Sequence, residues 1–443
     1  MDNVLAARAL MGVSLGFHII YATIGIGLPF MLMLAEGMAL RTGNEVYHQL
    51  ARRWIRPAGL LFAIGAVSGT ILSFELGLLW PRFMEASGPL IGLAFSIEGF
   101  AFFTEAIFLA LYIYGDQRLS RRMLFLCTIP LSLSAAASAV FVISANAWMN
   151  TPAGFRSVDG VFTDIDPFAA LANPAWVHQA THGTLAAYVA TGFAMSGVYA
   201  LAMLRGRQSE DNKIALKMSL AVAGACLPLM LISGDLSASF LAKHEKPKLA
   251  AMEALFHTSP RAPLIIGGWP DPATGRVHYG IELPGFLSFL AHRDFNAVVE
   301  GLDAFPPGTT PDPRLVHLFF DLMIGSFFIM IGVAAAFWWQ QWRRKEIGND
   351  RWLLRAILFA SPFGMIALES GWLVTEFGRQ PWIIQGHMRV SEGATTNPGI
   401  AIVFFVFLVV YVVLTTGLLK MLLWPSQGKR EIRASQEGQN VDP

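Results

Sequence analysis

Charge is what this sequence has least of. Only 14% of its 443 residues are Asp, Glu, Lys or Arg, and 54% are hydrophobic. A soluble domain carries about 25% charged residues, so a surface facing water on all sides is excluded. The charges that remain sum to +1, which leaves no overall field to attract nucleic acid. Cysteine is equally scarce. Cys127 and Cys226 are the only two, and both lie inside apolar runs, which excludes a disulfide framework and a thiolate zinc site. Gly/Ser linkers, low-complexity tracts and internal repeats are lacking, so residues 1–443 read as a single membrane domain. The first apolar run lacks the marks of a cleaved signal peptide. Asp2 precedes it, Arg8 is its one basic residue, and it continues past 20 residues with no A-x-A exit. It reads as a retained span.

What is there is apolar length. A membrane span needs about 20 predominantly apolar residues, and nine segments qualify: roughly 10–36, 55–79, 89–114, 123–148, 179–204, 214–233, 314–339, 353–376 and 398–424. Irregular backbone cannot face lipid, so all nine are helices, and the fold class is an all-α polytopic membrane protein. Basic residues set its orientation. Arg41, Arg52, Arg53 and Arg56 fall in one set of loops. So do Arg118, Arg121, Arg122, Arg205, Arg207, Lys213, Lys217, Arg343, Arg344, Lys345, Arg351 and Arg355, and the tail adds Lys429, Arg430 and Arg433. The alternate short loops hold few. This places the N-terminus outside, the C-terminus in the cytoplasm, and the long loop at 234–313 outside.

Ionisable side chains inside spans are costly, and each is a functional-site hypothesis. His18, Glu75, Glu98, Glu105, His182, Asp321, Glu369 and Glu376 are such residues, with Met323 beside Asp321. Glu98 and Glu105 are seven apart and share a helix face, and Glu369, Trp372, Glu376 and Arg379 form one stripe. An Arg one turn beyond a Glu can pair with it or neutralise an anionic ligand group. In the spans as read, His18, Glu98, His182, Met323 and Glu376 lie one to three turns from the outer surface, one on each of five helices. Imidazole and thioether are axial ligands of hemes, and carboxylate suits an open, high-spin iron. Plain alternatives stand beside each: a helix–helix hydrogen bond for His18 or His182, core packing for Met323, a proton relay for each Glu. His317 reads as structural and His178 as a surface or headgroup residue. His48, His244, His257, His278, His292 and His387 fall in loops, where solvation is the default.

The motifs go further. Span eight runs ESGWLVTEFGRQPW (369–382), span three IEGFAFFTEAIF, span four exits as SANAWMNTPAGF, and the long loop holds KPKLAAMEALF (246–256). Together they resemble subunit I of the cytochrome bd-type quinol oxidases along the whole chain. The short loop, with APLIIGGWPDPATG and GLDAF, resembles the cyanide-insensitive branch. The resemblance implies a heme-bearing subunit of a bacterial inner-membrane oxidase that oxidises quinol (ubiquinol or menaquinol) and reduces O2 to water. Proton motive force would come from vectorial proton uptake and release, without a pump. His18 and Glu376 would each ligate a high-spin heme iron, with Glu98 on a distal side. His182 and Met323 would be the axial pair of a low-spin heme b. The high-spin sites would hold a high-spin heme b and a heme d, or a further heme b in its place. Trp372 and Arg379 would support the hemes, Glu105 would lie on the proton path, and Lys248 and Glu253 would act at the quinol. The resemblance also implies a membrane subunit II and, as a further option, a small single-span subunit. In two places the chain departs from relatives. Asp321 stands where some have a basic residue, and Glu98 and Glu105 are seven apart, a spacing that can differ by one in long-loop relatives.

The rival reading is a proton- or cation-coupled transporter using the buried carboxylates. It calls for inverted repeats or broken helices, and neither is legible. A heme–copper oxidase needs a histidine cluster and a bc-type cytochrome b needs two His on each of two helices; both patterns are missing.

Overall fold

The computed structural model describes residues 2–344 and 350–423. Among them, nine helical stretches are long and apolar enough to cross a membrane. Helices α1 (Asn3–Thr42), α2 (Glu45–Leu79), α3 (Pro81–Gly115) and α4 (Arg121–Asn150) follow one another through tight connections. A small hairpin and α5 (Pro167–Leu171) lead into α6 (Trp176–Leu204) and α7 (Glu210–His244). The long loop carries α8 (Lys246–Met252), three short antiparallel strand pairs and α9 (Phe286–His292). The chain then returns through α10 (Pro313–Arg344), α11 (Arg351–Ala360), α12 (Phe363–Gly378), α13 (Val390–Gly393) and α14 (Ile400–Leu423). Lys345 and the basic tail residues Lys429, Arg430 and Arg433 lie outside the described residues.

Local signals set the helix ends. Asn44 accepts from Val46 N at 3.0 Å to start α2, and Ser120 caps α4. Gly43, at φ 68°, closes α1 in the left-handed region. The helices overrun the spans read from hydropathy. Polar turns project past the apolar stretch, since a helix goes on wherever caps and packing allow. The long loop accordingly begins after His244, at residue 245, eleven residues later than 234.

Span eight differs in kind. It is broken into α11 and α12 at Ser361 and Pro362, although the sequence reading found no broken helix. Pro362 has no N–H to continue the ladder. Ser361 N instead donates to Leu358 O at 3.4 Å, and α12 restarts with Ile366 N on Pro362 O.

Packing rests on small residues, as expected where lipid offers no hydrophobic drive between helices. Gly192 on α6 lets α7 approach so closely that a Cβ there would lie 2.8 Å from Ser219 O. A Cβ on Gly364 of α12 would lie 2.6 Å from Ala190 Cα of α6. These approaches bring α4, α6, α7, α10 and α12 together around the residues singled out above. By contrast, α14 buries few of its side chains.

Candidate functional site

His18 is held from α2. Ser68 Oγ lies 2.9 Å from His18 Nδ1 and itself donates to Ile64 O, also at 2.9 Å. With its one hydrogen so used, the hydroxyl accepts from Nδ1–H, which leaves the Nε2 lone pair for a ligand. Gly69 makes room for the ring, since a Cβ there would come 3.1 Å from His18 Cε1. One turn back, Ser14 donates to Glu75 at 2.8 Å and accepts from Tyr411 at 2.7 Å. Glu75 is buried, and its other oxygen has no partner. On α3, Glu98 accepts from Ser138 at 2.8 Å, and Glu105 is buried two turns further along.

His182 on α6 is set by Ser233 of α7, whose Oγ is 3.1 Å from Nδ1. Met323 sits on α10 against α12, where a Cβ on Gly371 would fall 3.1 Å from its sulfur. Helices α6 and α10 share α7 and α12 as neighbours, so the imidazole and the thioether belong to one group of four helices. Trp372 of α12 packs on Ile19, Ala190 and Leu368 and reaches the cluster of Ala139, Ile143 and Ala180.

Glu376 and Arg379, one turn apart, pair as their spacing predicts, with Arg379 Nη2 donating to Glu376 Oε2 at 2.6 Å. Asn146 of α4 donates to Oε1 at 2.6 Å. Arg379 is only 3% exposed, yet its Nε and Nη1 have no partner. A buried guanidinium with two unused donors suits an anionic group.

The long loop folds down onto this group. Lys248 and Glu253 are buried rather than solvated. The Lys248 aliphatic stem lies against Gly378, and its ammonium donates to Glu245 and, at 2.6 Å, to Asn150 Oδ1. Of its three N–H donors these bonds use two, which leaves one for a further acceptor. Burial pushes the Glu253 carboxyl from its ordinary 4.5 up to about 8, and the charge of Asp321 adds to the shift. His317 is structural, as its sequence context suggests. Its Nδ1 is 2.8 Å from Met252 O, and its Nε2 is 3.2 Å from Gly267 O and 3.3 Å from Asp321. Asp321 thus faces an imidazole that ties the loop to α10.

Counted along helices that overrun the apolar spans, His18 stands fifteen residues into α1, Glu98 seventeen into α3, and Glu376 two residues from the end of α12. Two sequence expectations are corrected. His178 is not a free surface residue: its ring packs tilted against Phe240, centroids 4.2 Å apart, and its Nδ1 is buried. His48 is not in a loop. It is buried on α2, 2.8 Å from Glu36, which also accepts from Tyr112, and 3.6 Å from Asp116. The signal for this cluster was Tyr112, seven residues beyond Glu105 on the same face, together with Glu36 inside the first run.

Among the described residues, no group of three or more His, Cys, Asp or Glu is placed to hold a bare metal ion. The candidate ligands come one per helix, which suits a planar macrocycle that supplies the other ligands itself.

Comparison with known proteins identifies the family and the fold. The family model described as cytochrome bd terminal oxidase subunit I matches residues 6–427. A Bacillus subtilis protein named putative cytochrome bd menaquinol oxidase subunit I is 39% identical, with 96% of each chain covered. Escherichia coli cytochrome bd-II ubiquinol oxidase subunit 1 is 27% identical over 95% of this chain and 97% of its own. The structure of bd oxidase from Geobacillus thermodenitrificans superposes with a TM-score of 0.91 at 38% identity, covering 95% of this chain and 98% of that one. With a match that runs nearly end to end in both sequence and fold, the chain belongs to the cytochrome bd terminal oxidase subunit I family.

Proposed function

We propose that this chain is the heme-bearing subunit of a multi-pass bacterial inner-membrane oxidase that takes electrons from quinol and reduces O2 to water. The family implies hemes, quinol and O2 as substrates, and a second membrane subunit. The transporter reading has no support among the relatives. The broken span eight, which that reading would call for, has a local cause in Pro362.

The residues present fit hemes. The observation that carries this is Arg379, buried beside Glu376 with two donor nitrogens unpartnered, a fit for a propionate. His18, oriented by Ser68, would ligate one high-spin heme, and Glu376 the other, with Glu98 on a distal side. His182, oriented by Ser233, would pair with Met323 on a low-spin heme b. Trp372 would fill the space between the ligand helices. The high-spin pair would be a heme b and either heme d or a further heme b. When bound, the hemes would supply electron transfer at the His182 and Met323 site and oxygen reduction at the His18 and Glu376 sites.

The chain's own residues handle protons and position the quinol. Glu253 would take a proton from the quinol hydroxyl, and its raised pKa suits a base working near neutral pH. Lys248, tied to the loop through Glu245 and to α4 through Asn150, would hold a quinone oxygen with its remaining N–H. With the basic loops inside, the N-terminus outside and residues 245–312 outside, the quinol protons would leave on the outer face. Glu105, deeper than Glu98 on the same stripe, would relay protons taken from the cytoplasm. Charge would then separate across the membrane without a pump.

The test is quinol-driven O2 uptake by the complex purified with its co-expressed second subunit. Uptake is expected with ubiquinol or menaquinol analogues. It should slow about tenfold or more in Glu105→Gln, as loss of a proton-transfer group does, with the low-spin spectrum unchanged. Heme-replete complex that consumes no O2 with any quinol would overturn the reading.

A further inference from the structure

One hydrogen-bonded chain joins the long loop to Glu376. Lys248 Nζ donates to Asn150 Oδ1 at 2.6 Å. Asn150 Nδ2 donates to Asn146 O at 3.0 Å and lies 3.4 Å from Asn146 Oδ1. Asn146 Nδ2 donates to Glu376 Oε1 at 2.6 Å. The two ends dictate the direction. An ammonium only donates and a carboxylate only accepts, so both amides must point their NH2 groups toward Glu376 and their oxygens toward Lys248. The two asparagines are four residues apart on α4 and therefore share a face. Asn150 is 2% exposed and Lys248 6%, so water competes little for these bonds.

Chains of aligned hydrogen bonds polarise one another in a low-dielectric interior. Here every link draws electron density away from the Glu376 carboxylate. A carboxylate that is so bonded is a weaker donor to ferric iron, and partners of this second kind tune a metal through its ligand. We propose that Asn150 and Asn146 are positioning residues that couple the quinol-loop cation Lys248 to Glu376 and raise the reduction potential of the iron this carboxylate holds. The proposal rests on the reading of Glu376 as an iron ligand. Its consequence is that displacement of Lys248 at the quinol end is felt as a changed electron affinity at the oxygen end, across 98 residues of sequence between Asn150 and Lys248.

Redox titration of the purified two-subunit complex, followed optically heme by heme, tests this. Asn150→Leu breaks the chain without touching charge, and Lys248→Met removes its cationic end. Each is expected to lower the reduced-to-oxidised ratio of one high-spin heme about three- to tenfold at fixed ambient potential, roughly 30–60 mV at 59 mV per decade. The low-spin heme should not move, and Lys248→Arg, which keeps donor and charge, should stay near wild type. Glu376→Ala, analysed by hemochrome, separates the two claims. If it loses one heme while the Asn150 and Lys248 variants leave every potential unmoved, or move all hemes alike, the coupling is wrong. If it retains every heme, the ligand reading beneath the proposal is wrong.

Discussion

Glu253 is the carboxyl proposed as the quinol base, and its raised pKa suits that role. Burial and the Asp321 charge raise its pKa from 4.5 to about 8, so below pH 8 the ionised fraction grows about tenfold per unit. If Glu253 takes the quinol proton, kcat/KM for quinol rises from pH 6 and levels near pH 8. Glu253→Gln should lose roughly 10²-fold in kcat/KM and flatten that limb; the same limb in both proteins would assign it to another group. Stability runs the opposite way. The folded chain binds this proton more tightly than the unfolded chain does, so this carboxyl lowers stability as pH climbs from about 4.5 to about 8, and the glutamine variant should lack that decline. His18 and His182 pose a different problem, that of aiming a ring. Both solve it with a serine on the neighbouring helix, Ser68 and Ser233.

Those serines mark what was legible and what was not. Contacts within one helix follow from spacing, so the Glu376–Arg379 pair and the shared face of Glu98 and Glu105 could be read directly. Contacts between helices depend on rotation and depth, which hydropathy does not encode. Ser68, Ser233 and Asn150 were invisible as partners for that reason, and so was the Glu36–His48–Tyr112 cluster. The break in span eight had its signal in Pro362, but an apolar run that continues on both sides masks it. Close helix approach is a further cross-helix property, and it is testable. Gly364→Ala would put a Cβ 2.6 Å from the Ala190 backbone, whereas at Gly332 of α10 nothing lies within 4 Å. Overpacking of this kind costs about 1–3 kcal/mol. Gly364→Ala should lower the thermal unfolding midpoint of the complex in detergent, and Gly332→Ala should leave it alone or raise it slightly. Equal midpoints would contradict the packing described for α6 and α12.

The described residues form a frame of long helices that carries the proposed ligands on α1, α6, α10 and α12, with the long loop folded onto one end. Its family and fold follow from the match across residues 6–427 and from the bd oxidase superposition at TM-score 0.91. The ligand assignments are the claim that most needs testing. The most direct measurement is a heme count by pyridine hemochrome, paired with a reduced-minus-oxidised spectrum, on the wild-type complex and on His18→Ala, His182→Ala and Glu376→Ala. The account predicts three hemes in the wild type and the loss of a different one in each variant, with the low-spin band vanishing only in His182→Ala. A far-red chlorin band would identify heme d, and its absence a further heme b. A wild-type complex without heme, or variants that all keep the full complement, would contradict the assignment of His18, His182 and Glu376 as the iron ligands.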